Sequence, residues 1–299
     1  MTEDLHYKTI SELAPQVRDG KLSSVELTES QLDRIGQLDG HLKSYATLMA
    51  DSARQQAKAA DAEIASGNYR GPLHGIPIAV KDLCYTEGVR TMGGSAVFAD
   101  NVPDFDATVV TRLNDAGAVM LGKLNLTEGA MGGYNPKLDI PENPWADRHW
   151  AGQSSSGSGV ATAAGLAYGT LGSDTGGSIR YPAAACGTVG VKPTWGRVSR
   201  YGVMNLAQSL DHVGPLTRSA ADSGIMLQAI AGYDPNDPTS LPNSVPAMTG
   251  TLDVGVRGLK IGYDERYASE DLEPEIANSI AESVKVMEGL GAEIVTVKM

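Results

Sequence analysis

Residues 75–82, GIPIAVKD, constrain the fold of this chain more than any other segment. As an extended segment they place Ile76, Ile78 and Val80 on one side and Pro77, Ala79 and Lys81 on the other, because side chains alternate along a strand. The segment therefore reads as a largely buried strand that ends on a lysine. Beyond it, residues 107–114 carry a helical pattern and residues 119–123 a strand pattern, joined by Ala116 and Gly117. This alternation predicts an α/β core rather than an all-α or all-β one.

Further elements follow from local chemistry. Ser23 and Glu26 have capping-box spacing, and Val25, Leu32 and Ile35 recur on one helical face, so residues 22–35 are expected to form a surface helix. Residues 44–66 have a charged, Ala-rich helical pattern that Gly67 and Asn68 can terminate. Pro136, Pro141 and Pro144 make residues 132–151 a long loop, the kind that usually carries function. Near the end, residues 259–263, 272–290 and 292–298 read as strand, helix and strand. A parallel strand needs a sheet around it, so the expectation is that the domain continues beyond Met299. Residues 1–299 are read as a single domain with its C-terminal part missing, and residues 1–70 as a helical region packed on the core.

A formal charge of −12 argues against nucleic-acid or anionic-membrane binding through the global field. Only Cys84 and Cys186 are present, without metal-site or disulfide-framework spacing, so a cytoplasmic location is expected. The N-terminus has no signal-peptide pattern, and no apolar run reaches membrane-spanning length. The five histidines, His6, His41, His74, His149 and His212, show no metal-ligand spacing.

Lys81, Ser154 in GQSSSGSG and Ser178 in GSDTGGSIR are the candidate chemical groups. Each also has a plainer explanation when read singly. Lys81 could be an ion-pair partner, with adjacent Asp82 the obvious candidate. Ser154, before a small-residue helix, could be a cap, and Ser178 could belong to an ordinary glycine turn. No serine lies in a G-x-S-x-G elbow, and no lysine follows an S-x-x pattern. A lysine acts as a base only when burial lowers its ordinary pKa of about 10.4, and the run from Ile76 to Val80 supplies an apolar setting.

Together, GIPIAVKD, GQSSSGSG and GSDTGGSIRYPAAACGTVGVKPTWGRVS resemble the amidase signature family over residues 73–217, most specifically in residues 172–180. The resemblance implies a mixed central β-sheet covered by α-helices on both faces, and hydrolysis of an acyl C–N bond through an acyl-enzyme. It implies that Ser178 is the nucleophile, Ser154 a bridging serine on a cis peptide bond, and Lys81 the terminal base. Thr175, Gly176, Gly177 and Ser178 would supply oxyanion N–H groups, and Met131, Ser155, Asp174 and Arg180 would bind substrate or support the site. No metal or organic cofactor is implied. The expected partner is a small amide or carbamate, without direct contact to nucleic acid or membrane, and a homodimer is among the expected assemblies.

Two departures stand out. The family's Gly-Gly-Ser-Ser-Gly-Gly pattern appears here with Gln153 and Ser156 in place of two glycines, and the chain ends before the family's C-terminal part. The run GVKPTWGRVSRYGVMNLAQSLDHVGPLTRS is also similar to the glutaminase subunit of tRNA-dependent amidotransferases, which makes that glutaminase the alternative. The Pro-rich residues 133–145 depart from it, so a stand-alone hydrolase is the preferred expectation.

Overall fold

A computed structural model describes residues 5–299. The chain forms two compact units that divide between Met248 and Thr249. In chain order the first contains α1 (Ile10–Arg18), α2 (Ser24–Leu42), β1 (Tyr45–Leu48), α3 (Ala50–Ala65), β2 (Pro77–Lys81), α4 (Thr108–Asp115), β3 (Val119–Leu124), α5 (Ser156–Ala163), β4 (Gly169–Asp174), α6 (Arg180–Cys186), β5 (Val189–Gly190), β6 (His212–Thr217) and α7 (Ala220–Ile230). Its six-stranded sheet has the order β1-β3-β2-β4-β6-β5. The three central strands, β3, β2 and β4, run parallel, while β1, β6 and β5 add antiparallel pairings at the flanks.

Strand alternation divides the core into two layers. Ile78, Val80 and Met120 pack with Ile10, Leu13 and Val17 of α1, Val109, Val110 and Leu113 of α4, and Met226 and Ile230 of α7. Ala79, Val119 and Leu121 pack with Leu32 and Ile35 of α2, Ala53 and Ala57 of α3, and Val160 and Ala161 of α5. Every residue of β2, β3 and β4 is buried, as expected for central parallel strands covered on both faces. Each fully buried Ile or Val there contributes about 1.5–3 kcal/mol. The fold is therefore α/β, a mixed sheet with helices on both faces.

The Ser23–Glu26 capping box is present, with Ser23 Oγ accepting from Glu26 N and the Glu26 carboxylate accepting from Ser23 N. The expected single helix over residues 44–66 instead divides: Tyr45–Leu48 forms β1 against β3, and the helix starts at Ala50. Residues 132–151 contain no helix or strand. Cys84 and Cys186 are both buried free thiols. Among the described residues, no helix is long and apolar enough to cross a membrane.

The second unit contains β7 (Lys260–Tyr263), α8 (Pro274–Gly289) and β8 (Glu293–Thr296), with the two strands paired in parallel from Lys260–Glu293 to Tyr263–Thr296.

Candidate active site

Lys81 is the last residue of β2 and is completely buried. Its Nζ donates to Ser154 Oγ at 2.6 Å and to Ser173 Oγ at 2.9 Å. Burial lowers its pKa to about 7, against the smaller opposing influence of Cys84, Asp174 and Asp211. An amine poised there is half neutral at physiological pH and can accept a proton. Asp82 is not its partner. Adjacent residues on a strand point to opposite faces, and Asp82 instead faces Lys123, with Oδ1 3.6 Å from Lys123 Nζ.

Ser154 sits in the turn that opens α5, and the Gln153–Ser154 peptide is cis. Gly152 precedes it at φ +84°, and a Cβ there would lie 2.3 Å from Pro182 Cα, so only glycine fits. The Ser154 carbonyl accepts from Thr127 N at 3.2 Å, which ties the turn to the loop after β3. Ser155 locks the turn to β4. Its hydroxyl donates to the Ser173 carbonyl at 3.1 Å and accepts from Ser173 N at 3.2 Å, and its N–H donates to the Ser178 carbonyl at 3.2 Å. Gly172 permits this approach, because a Cβ there would lie 2.7 Å from Ser155 Oγ.

The Ser178 turn is built around Asp174, the last residue of β4. Asp174 is fully buried and accepts from Gly177 N (2.8 Å), Ile179 N (3.1 Å), Arg180 Nε (3.0 Å) and Arg180 Nη2 (2.9 Å). Burial pushes its carboxyl up, but the hydrogen bonds from Arg180 and from the Ile179 and Arg180 N–H groups outweigh that and leave it below the ordinary carboxylate range. Thr175 Oγ1 donates to Asp211 Oδ1 at 2.5 Å, and Asp211 also accepts from the N–H groups of Leu206 and Ala207. Lys192 Nζ lies 3.2 Å from His212 Nε2, and His212 Nδ1 lies 3.1 Å from the Asp174 carbonyl. His212 thus links Lys192 to the backbone at the end of β4.

Of the four expected oxyanion donors, Gly177 N already donates to Asp174 Oδ1. Among the described residues, the N–H groups of Thr175, Gly176 and Ser178, and the Ser178 hydroxyl, have no hydrogen-bond partner. Ser178 itself is half-buried. Asp174→Ala would strand the Arg180 guanidinium and three backbone donors, the N–H groups of Gly177, Ile179 and Arg180. The expected loss is about 3 kcal/mol, the low end for a broken buried pair because the Arg180 side chain is 53% exposed. Denaturant unfolding checks this, and a change below about 1 kcal/mol would remove Asp174 as the organiser of the turn.

Met131 follows a tight turn at Glu128–Ala130, and its side chain is exposed. A Cβ on Gly132 would come within 3.8 Å of Gln153 Nε2, and Tyr134 Oη donates to Ser156 Oγ at 2.8 Å. The two side chains that replace glycines around Ser154 thus both meet residues 132–134. The serine turn and the start of the Pro-rich loop are therefore in contact. Sequence reasoning did not single out Ser173, the second acceptor for Lys81, although it directly precedes Asp174. It also missed Lys123 and Thr127. Among the described residues, no group of three or more His, Cys, Asp or Glu is placed to hold a metal ion.

Residues 26–299 match the family described as Amidase. The chain is 51% identical over 282 residues to the Mycobacterium tuberculosis protein named AmiD, covering 94% of this chain and 59% of that protein. It is 48% identical over 291 residues to a glutamyl-tRNA(Gln) amidotransferase subunit of Moorella thermoacetica, covering 97% of this chain and 60% of that one. The structure of native peptide amidase from Stenotrophomonas maltophilia superposes with a TM-score of 0.90 at 37% identity, covering 98% of this chain and 62% of the other. The chain thus spans about 60% of the length of the curated relatives it matches. A buried lysine held against the serine turn, on an α/β scaffold shared at this level of identity, places this chain in the amidase signature family.

Proposed function

We propose that the protein is an amide hydrolase in which Ser178 attacks the acyl carbon of a C–N bond. The observation that carries this reading is the buried Lys81 amine, 2.6 Å from Ser154 Oγ, with its pKa brought to about 7. Ser154 accepts the Ser178 proton as its own proton passes to neutral Lys81, and the resulting oxygen nucleophile adds to the carbonyl. The N–H groups of Thr175, Gly176 and Ser178 stabilise the oxyanion, while Gly177 is retained by Asp174 and shapes the turn. As the tetrahedral intermediate collapses, the C–N bond breaks and Lys81 returns its proton through Ser154 to the leaving amine. Water then attacks the Ser178 ester by the same relay, releasing the acid and restoring the serine.

A second reading, the glutaminase subunit of a tRNA-dependent amidotransferase, is favoured by the 48% identity to the Moorella protein. The hydrolase is preferred because Gln153, Ser156 and the Pro-rich loop reshape the surroundings of Ser154 together. The two readings separate in one experiment on the purified full-length protein, treated with a fluorophosphonate and assayed on primary amides, anilides, carbamates and glutamine. A hydrolase is labelled at Ser178 and releases amine from simple amides unaided, whereas a glutaminase subunit prefers glutamine and needs partner subunits. Absence of Ser178 labelling would defeat both.

A further inference from the structure

Lys123 is a second fully buried lysine in the sheet, and no step above uses it. It lies on β3 in register with Val80, and residues in register share a face, so it occupies the side of the sheet opposite Lys81. Its ammonium donates to the Cys84 carbonyl and to Thr91 Oγ1, each at 2.6 Å, and faces Asp82 Oδ1 at 3.6 Å. Asp82 Oδ1 has no hydrogen bond, so Lys123 is its charge compensation, while Oδ2 accepts from Met92 N at 3.0 Å. The Asp82 carbonyl accepts from Gly93 N at 2.8 Å.

These contacts reach the site by two short routes. The N–H groups of Leu83 and Cys84 both donate to the Lys81 carbonyl, at 2.8 and 3.1 Å, so the turn held by Lys123 also holds the backbone of Lys81. On the other side, the Gly93 carbonyl accepts from Gly129 N at 2.8 Å, the Thr127 carbonyl accepts from Ala130 N at 2.9 Å, and Thr127 N donates to the Ser154 carbonyl. We infer that Lys123 and Asp82 form a positioning pair for the active site, fixing Lys81 from behind the sheet and the Ser154 turn through residues 91–93 and 127–130.

A buried ion pair is a poor stabiliser, because desolvation of both charges offsets their attraction and apolar replacements often do as well. What the pair supplies here is a fixed geometry for three backbone segments. The charged and titratable groups facing it are Cys84, Arg90 and Asp106, and those facing Lys81 are Cys84, Asp174 and Asp211. Burial raises the Asp82 carboxyl to about 6 and lowers Lys123, and in each the opposite charge of the partner works against that shift.

This inference rests on the amide-hydrolase reading, and its test keeps the two apart. The rate of Ser178 labelling by a fluorophosphonate is measured against pH in the full-length wild type, in Asp82→Asn and in Thr91→Val. Both replacements are close in shape to the original side chains, and thermal melts report whether each folds. With Lys81 loosened and its amine reached by water, labelling at pH 7 is expected to fall about tenfold in Asp82→Asn and less in Thr91→Val. The labelling midpoint is expected to rise by about one pH unit in Asp82→Asn and by a smaller amount in Thr91→Val. A merely structural pair would reduce the amount of folded enzyme and leave the midpoint where it was. Folded variants that keep the wild-type midpoint overturn the inference, and if only Thr91→Val folds, its midpoint decides. Failure of the wild type to label defeats the hydrolase reading itself.

Discussion

Ser178→Ala is expected to abolish turnover while leaving the fold intact. The serine oxygen is the only atom the variant removes, and it makes no hydrogen bond among the described residues, so its loss leaves no buried partner stranded. The bond from Ser155 N to the residue 178 carbonyl is made by backbone and survives the change. Stability should therefore shift by no more than about 0.5 kcal/mol. Activity should fall by a factor on the order of 10⁴ to 10⁶, the range seen when a nucleophile acting as part of a unit is deleted. Amine release at high enzyme concentration, paired with thermal melts, measures both quantities. A folded variant retaining more than about one hundredth of wild-type activity would show that another group attacks the carbonyl.

Lys81→Met should come close to the same loss, about 10⁴-fold, by a different route. Methionine fills the buried channel beside β2 with an apolar chain of similar length but cannot take a proton. The variant relieves the cost of burying an amine yet leaves the Ser154 and Ser173 hydroxyls without their partner, and these effects on stability oppose each other. The pH profile provides the sharper test. Below about 7 Lys81 is an ammonium and cannot act as base; above it the amine is neutral, so wild-type kcat/KM should rise through pH 7 and level off. The small residual rate of Lys81→Met should lack that limb. A wild-type profile flat across neutral pH would mean that another base serves Ser178.

Much of this site is legible in the sequence because it depends on local patterns. Alternation in GIPIAVKD places Lys81 at the end of a buried strand, and β2 ends there. The Ser23–Glu26 spacing marks the start of α2, although Thr9 and Glu12 form the same kind of box before α1 and escape the sequence reading. Strand β1 is hidden because four residues, Tyr45–Leu48, adjoin a strongly helical stretch, and their extended form depends on pairing with β3 rather than on their own preference. The exchange of partners, Asp82 to Lys123 and Lys81 to the serines, is a matter of strand faces and of contacts some forty residues apart or more. The oxyanion turn is legible as a set of four residues, but the capture of Gly177 N by Asp174 depends on where the folded turn brings the carboxylate, which no local sequence pattern displays.

The ladder between β2 and β4 runs from Ile78–Gly169 to Val80–Leu171 and then stops. Two residues later, both backbone groups of Ser173 are taken by the hydroxyl of Ser155, a side chain standing where a strand would be. The parallel strands have parted, and Lys81, Ser154 and Ser173 occupy the cleft between them. A sequence change that extended the pairing of β2 and β4 by two residues would make a better sheet and close that cleft. The protein therefore gives up regular sheet at the one place where the chemistry needs room, and a single serine hydroxyl keeps the opened strand hydrogen-bonded.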